Sequence, residues 1–106
     1  MASSKEFADF VMEQAAGTGE ITSRKMFGEY MVYIDRKPIL LVCDNTVFIK
    51  MHGCVADIMS NAETGFPYDG AKLHYILDIE NRELVKKAIG LLKPVIPLPK
   101  SAEKKK

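Results

Sequence analysis

Cys43, His52, Cys54 and His74 are the side chains in this chain best suited to do chemistry. Together they could ligate zinc, but structural zinc sites present their ligands in pairs at short spacing, such as two cysteines a few residues apart. His52-x-Cys54 approaches that pattern, while Cys43 sits in an apolar run, so no metal site is expected. The same cysteines could act as nucleophiles, with His52 or His74 as base and Asp57 or Asp78 as the orienting acid. Any chain of this size contains such a trio, and no local signature supports this one. No serine stands in a Gly-x-Ser-x-Gly elbow. Gly17-Thr18-Gly19 and the glycines at 65 and 70 open into neither a Gly-Lys-Ser/Thr nor a Gly-x-Gly-x-x-Gly helix. Neither a phosphate cradle nor a cofactor is therefore expected. Glu80 and Glu83 suit the first turn of a helix, where the dipole favours acids. No catalytic residue is assigned.

Phe66-Pro67-Tyr68 is the remaining candidate. Two aromatics around a proline either form a recognition platform or pin a loop to the sheet edge, and the burial that aromatics contribute favours pinning. The six methionines are scattered over the chain and read as core filling, not as a binding groove.

The elements that must position these residues follow from periodicity. Ser3 and Glu6 fit a capping box, so a first helix begins near Ser4, with Phe7, Phe10, Val11 and Ala15 on one face. Gly17 and Gly19 end it. Ile21 to Met26 is polar enough to be an edge strand. Tyr30 to Ile34, Ile39 to Cys43 and Thr46 to Lys50 are strands rich in β-branched and aromatic residues. They are joined by turns at Asp35-Arg36-Lys37-Pro38 and Asp44-Asn45, short enough to require antiparallel neighbours. Residues 52–61 read as a second helix, Leu73 to Asp78 as a last strand, and Arg82 to Leu92 as a final helix capped by Asp78 or Asn81. Pro94, Pro97 and Pro99 forbid its continuation. The order α-β-β-β-β-α-β-α predicts an α+β two-layer sandwich, with an antiparallel meander sheet and helices set apart from it.

Both faces of that sheet are apolar. Tyr30, Val32 and Ile34 alternate with Met31 and Tyr33, and Phe48 opposes Val47 and Ile49. Three modest helices cannot cover both sides, and an uncovered apolar face marks a partner surface. Met31, Tyr33, Phe48, Phe66 and Tyr68 are the candidate partner-binding residues, for another protein or for self-association.

Bulk properties agree with one soluble domain: 106 residues, 47% apolar and 27% charged, with no apolar run near the roughly 20 residues that span a bilayer. The opening residues lack a secretory plan, and two cysteines are too few for a disulfide framework, so the expected location is cytoplasmic. Net charge is +1, but residues 93–106 carry +4 and the preceding 92 carry −3. A nucleic-acid binder usually carries its basic face on the folded body. Here the excess lies in a Pro/Lys-rich stretch, 94–106, expected to be a flexible tail after a domain spanning 1–93.

Arg24-Lys25-Met26-Phe27-Gly28-Glu29-Tyr30, the turn at Asp35, the hairpin from Val42-Cys43-Asp44 to Phe48-Ile49-Lys50, Phe66, Tyr75 and the closing helix resemble the N-terminal domain of the TfoX/Sxy competence regulators. The resemblance runs from about Phe7 to Leu92. It implies a two-layer α+β sandwich similar to type III secretion chaperones, and no catalytic residues. Full-length members are positive regulators of competence genes and carry a second, helical domain, whereas this sequence looks like a stand-alone first domain. Met26, Phe27, Gly28 and Tyr30 form the motif, read as a structural corner in which Gly28 bends the chain. The expected function is that of a small, non-enzymatic protein-interaction domain, regulating transcription in the competence manner through partner proteins. Direct nucleic-acid binding through the tail, Arg24, Lys25 and Lys72 is the second expectation. A cysteine-dependent enzyme or metal protein is the third.

Overall fold

The computed structural model describes residues 3–26 and 29–98. Phe27 and Gly28, and with them the expected glycine corner, lie outside the described residues, as does the chain beyond 98. The described elements are α1 (Lys5–Gln14), β1 (Ile21–Met26), β2 (Glu29–Ile34), β3 (Lys37–Cys43), β4 (Thr46–Lys50), a 3₁₀ turn at Gly53–Val55, β5 (Thr64–Gly65), β6 (His74–Ile76) and α2 (Arg82–Leu92). The six strands form one antiparallel sheet in the order β1-β2-β3-β4-β6-β5. This is the α+β arrangement that the sequence predicts. Among the described residues no helix is long and apolar enough to cross a membrane.

Two hairpin turns set the meander. Asp35 and Arg36 have φ of 53° and 69°, and Asp44 and Asn45 both have φ of 53°. Paired left-handed residues match the twist of the flanking strands, and Asp and Asn tolerate that region best. Between Val32 and Tyr33 the β2–β3 register jumps from Leu40 to Pro38, leaving Ile39 as an extra residue. The bulge turns Ile39 inward beside Leu40, so both are buried. It also accommodates Pro38, which has no N–H for a ladder.

One face of the sheet carries the core. Tyr30, Val32, Ile34, Leu40, Val42, Val47 and Ile49 join Ala8, Val11 and Ala15 of the first helical segment and Val85, Ala88, Ile89 and Leu92 of α2 in a single buried cluster. Ile96 belongs to it as well, at 2% exposure, so packing extends past the boundary expected at residue 93. The α1 face is turned from the expected one. Ala8 and Val11 are buried, while Phe10 lies at the rim, 6.5 Å from the Phe7 ring.

Local chemistry shifted several boundaries. Ser4, not Ser3, caps α1: its side chain accepts the Phe7 N–H at 3.1 Å, while Ser3 is occupied elsewhere. The expected second helix at 52–61 is a 3₁₀ turn running into further turns. Its bonds are mostly i→i+3, with Met59 N–H to Val55 O the i→i+4 exception. Gly53, Ser60 and Asn61 are weak helix formers, and Val55 and Met59 are the buried anchors of the segment. The last strand contracts to His74–Ile76, with Leu73 exposed beyond it. Thr64–Gly65, where the sequence predicts no strand, pairs with it as β5. A two-residue strand has no period to read. At α2, Asn81 accepts the Leu84 N–H at 3.1 Å, giving the bounds that the sequence predicts.

Candidate functional site

The face of the sheet opposite the helices is covered in part by the chain after β5. A Cβ placed on Gly65 would stand 3.5 Å from the Phe48 ring, and the His74 ring meets Phe48 edge-on at 6.5 Å between centroids. Beyond Gly65, Pro67 and Tyr68 turn back over β2 and β3. Between them and the sheet lies a cavity of about 560 Å³, lined by Met26, Glu29, Tyr30, Met31, Leu41, Cys43, Pro67 and Tyr68. Its size is that of a small-ligand or side-chain pocket, and its lining is apolar apart from one carboxylate.

Register explains the grouping. Met31 pairs with Leu41 and Arg24, and Leu41 pairs with Phe48, so these residues share one face. Cys43 follows Leu41 two positions on and points the same way. Burial pushes its thiol up to about 11, with the Glu29 and Asp44 carboxylates adding to the shift. At neutral pH it is a neutral apolar group. Nucleophilic cysteines are instead held as thiolates by positive surroundings.

Glu29 is fixed at the margin by a polar tie. Its Oε1 accepts the Ser3 hydroxyl at 2.9 Å and the Asp44 N–H at 3.1 Å. Ser3 Oγ in turn accepts the Asn45 N–H at 2.9 Å, and the Ser4 N–H donates to Asn45 Oδ1 at 3.0 Å. The start of α1 is thereby fastened to the β3–β4 turn, beside the mouth of the cavity. Lys25 Nζ stands 6.0 Å from the centroid of the Tyr30 ring on the other side of β1.

The five residues expected to meet a partner separate here. Met31 and Tyr68 line the cavity together. Tyr33 is half-buried on the same face but outside it, Phe48 is buried, and Phe66 is 65% exposed. Tyr68 is also 60% exposed, so the two aromatics are not pinned down as expected, while Pro67 between them is half-buried. Of the motif residues, Met26 and Tyr30 turn out to line the cavity. Glu29, Leu41, Cys43 and Pro67 were not singled out as pocket residues. The apolar doublets Leu40-Leu41 and Val42-Cys43 carried the signal, since every second residue must face away from the helices.

The four candidate zinc ligands are scattered. Cys54 Sγ lies 3.4 Å from Leu91 O, His74 Nδ1 lies 2.7 Å from Lys72 O, and Cys43 is on the cavity side of the sheet. Among the described residues no group of three or more His, Cys, Asp or Glu could hold a metal. The basic residues considered for nucleic acid are dispersed too. Arg24 and Lys25 alternate across β1, and Lys72 precedes β6, with three strands between.

The sequence model of the TfoX N-terminal domain matches residues 13–80. The chain belongs to the TfoX N-terminal domain family. The matched span contains all six strands and every residue of the cavity, and it stops short of α2. A relative from Spirochaeta aurantia, an uncharacterized 12.7 kDa protein in the trpE 5' region, is 31% identical over 107 residues, covering 99% of this chain and 93% of that protein.

Proposed function

We propose that this chain is a non-enzymatic regulatory module that acts in competence-type control by binding a partner protein, with the cavity on the open sheet face receiving an apolar side chain of that partner. Family membership supports the regulatory half of this reading. The cavity carries the rest. It places Met31, Leu41 and Tyr68 where a partner's side chain would be desolvated, with a single fixed carboxylate at the margin to orient it. The neutral Cys43 thiol suits a binding surface and not a nucleophilic one.

The reading is tested with Met31→Asp and Tyr68→Ala in the native host, measuring transcripts of the competence genes beside a thermal melt of each purified variant. Both positions sit outside the helix-covered core, so the melts should stay close to the parent while the transcript response falls at least tenfold. A full response from a folded Met31→Asp variant would refute it. Salt-dependent binding of duplex DNA by the full chain, unaffected by either variant, would point instead to direct nucleic-acid contact.

A further inference from the structure

Among the described residues that line the cavity, Glu29 alone is charged, and it is half-buried there. Its Oε1 is committed to the Ser3 hydroxyl and the Asp44 N–H, while Oε2 accepts no hydrogen bond among the described residues. Both donors are neutral, so the carboxylate keeps its full charge. The chain's own cations stand apart from it. Arg24, its diagonal neighbour across the β1–β2 pair, is outside the cavity lining, and Lys25 Nζ lies by the Tyr30 ring. Among the described residues neither forms an ion pair with Glu29.

That charge limits what can close the cavity. A purely apolar occupant takes water from the carboxylate and returns no hydrogen bond, and a desolvated charge without a partner is costly. The volume, about 560 Å³, is that of a pocket for a whole small ligand and exceeds what one branched side chain fills. An occupant that both fills the space and offsets the desolvation has an apolar part and a positively charged donor. The wall around Cys43 agrees in sign: the Glu29 and Asp44 carboxylates both disfavour a negative charge on its thiol. An anion is excluded there for the same reason.

We propose that the partner segment entering this cavity carries an arginine beside its apolar residue, and that the guanidinium donates to Glu29 Oε2. The strand register places both parts. Met26 lies directly opposite Glu29 and is 42% exposed, so the aliphatic stem of the arginine covers it. Met31 and Leu41, paired with each other two residues further along, receive the apolar side chain. Arginine suits the site better than lysine. Its planar guanidinium is less strongly hydrated than an ammonium, so it loses less on entering apolar surroundings, and it stacks on aromatic rings such as that of Tyr68 in the loop wall. Ser3 and the Asp44 N–H already fix Oε1, so the carboxylate needs little ordering when the arginine arrives. The inference rests on the partner-binding reading of the cavity and adds the chemical class of what binds.

The test uses the full chain and two probes of one shape, hexylguanidinium and hexylurea, which differ in charge. Each is titrated while the methyl signals of Met26 and Met31 are followed by NMR. Hexylguanidinium should shift both signals saturably and bind about tenfold tighter than hexylurea, the margin expected of a charge-assisted hydrogen bond. That margin should shrink as salt is added. Glu29→Gln keeps an oxygen acceptor for Ser3 and the Asp44 N–H and removes the charge, so it should melt close to the parent and abolish the preference. In the native host the same variant should lower the competence transcripts, as Met31→Asp does. Equal affinity for the two probes overturns the proposal, and so does a preference that survives Glu29→Gln. The absence of a saturable shift from either probe at tens of millimolar overturns it as well. A full transcript response from Glu29→Gln, where Met31→Asp abolishes it, overturns the arginine and leaves the partner-binding reading standing. A full response from Met31→Asp refutes that reading itself.

Discussion

Asn45 carries two loads that a pair of substitutions can separate. It is left-handed, with φ of 53°, at the second position of the β3–β4 turn. Its Oδ1 also accepts the Ser4 N–H at 3.0 Å, joining that turn to the start of α1. Asn45→Gly keeps the backbone conformation open and deletes the side-chain bond. Because the bond is near the surface, its net worth is about 1 kcal/mol. Asn45→Ala deletes the same bond and adds the left-handed strain of a Cβ, about 1 kcal/mol more. The expected losses are therefore about 1 kcal/mol for glycine and about 2 kcal/mol for alanine. For a domain of this size each kcal/mol lowers Tm by roughly 4–8 °C, so alanine should melt about 5 °C below glycine. Thermal melts followed by circular dichroism, with urea midpoints as a second measure, read this directly. Equal melting of the two variants would refute the backbone half of the argument. A glycine variant as stable as the parent would refute the bond to Ser4.

Four other outcomes are expected. Burial holds the Cys43 thiol up at about 11, so native protein at pH 8 should label with iodoacetamide at Cys43 only after denaturation, as intact-mass analysis would report. The same shift has a stability consequence: the folded thiol keeps its proton when the unfolded one loses it, so the stability it contributes is complete below pH 9.0 and is lost as pH rises to about 11, and Cys43→Ala should flatten that alkaline slope. The Lys93 ammonium, 2.8 Å from Asp35 Oδ2, holds the Asp35 carboxyl below its ordinary 3.8, helped by the Glu20 N–H. That contribution is present above 3.8 and is lost as pH falls through the lowered value, so Asp35→Asn should make the acid limb of a Tm–pH curve shallower. Gln14, 8% exposed, donates to Ile79 O at 2.9 Å and accepts from the Arg82 guanidinium at 3.1 Å. Gln14→Leu leaves both partners unpaired and should cost about 2 kcal/mol in chemical denaturation, where an unchanged midpoint would argue against the bond.

What was legible in the sequence follows from period and turn chemistry. The strands from Tyr30 to Lys50 and the helix from Arg82 to Leu92 carry strong alternation and local caps, and they appear where those signals put them. The 52–61 segment misled because Val55, Ile58 and Met59 mimic helical spacing, while Gly53, Ser60 and Asn61 let short-range bonds win. The bulge at Ile39 and the pairing of Thr64–Gly65 depend on partners far along the chain, which local pattern cannot supply. The cavity was half legible. Met31 and Tyr68 are both candidate partner-binding residues in the sequence, but their meeting needs the loop after β5 to fold back across two strands. Ser3 could be read as a cap, and only the fold reveals that it ties Glu29 to Asn45.

The two ends of α1 have a consequence for the order in which the molecule opens. Isolated helices of ten residues are marginal in water, and their first turns ordinarily fray. Here the N–H just before the helix is held by Asn45, 41 positions away, and its last residue is held to Ile79 O, 65 positions away. Unwinding at either end costs the clasp there as well as the helical bonds, so local fraying is suppressed at both ends. In hydrogen exchange, the amides of Ala8 and Val11 should therefore be as slow as those of the central strands, and should be lost with them in one global opening. The shorter of the two described α-helices would then report the stability of the whole.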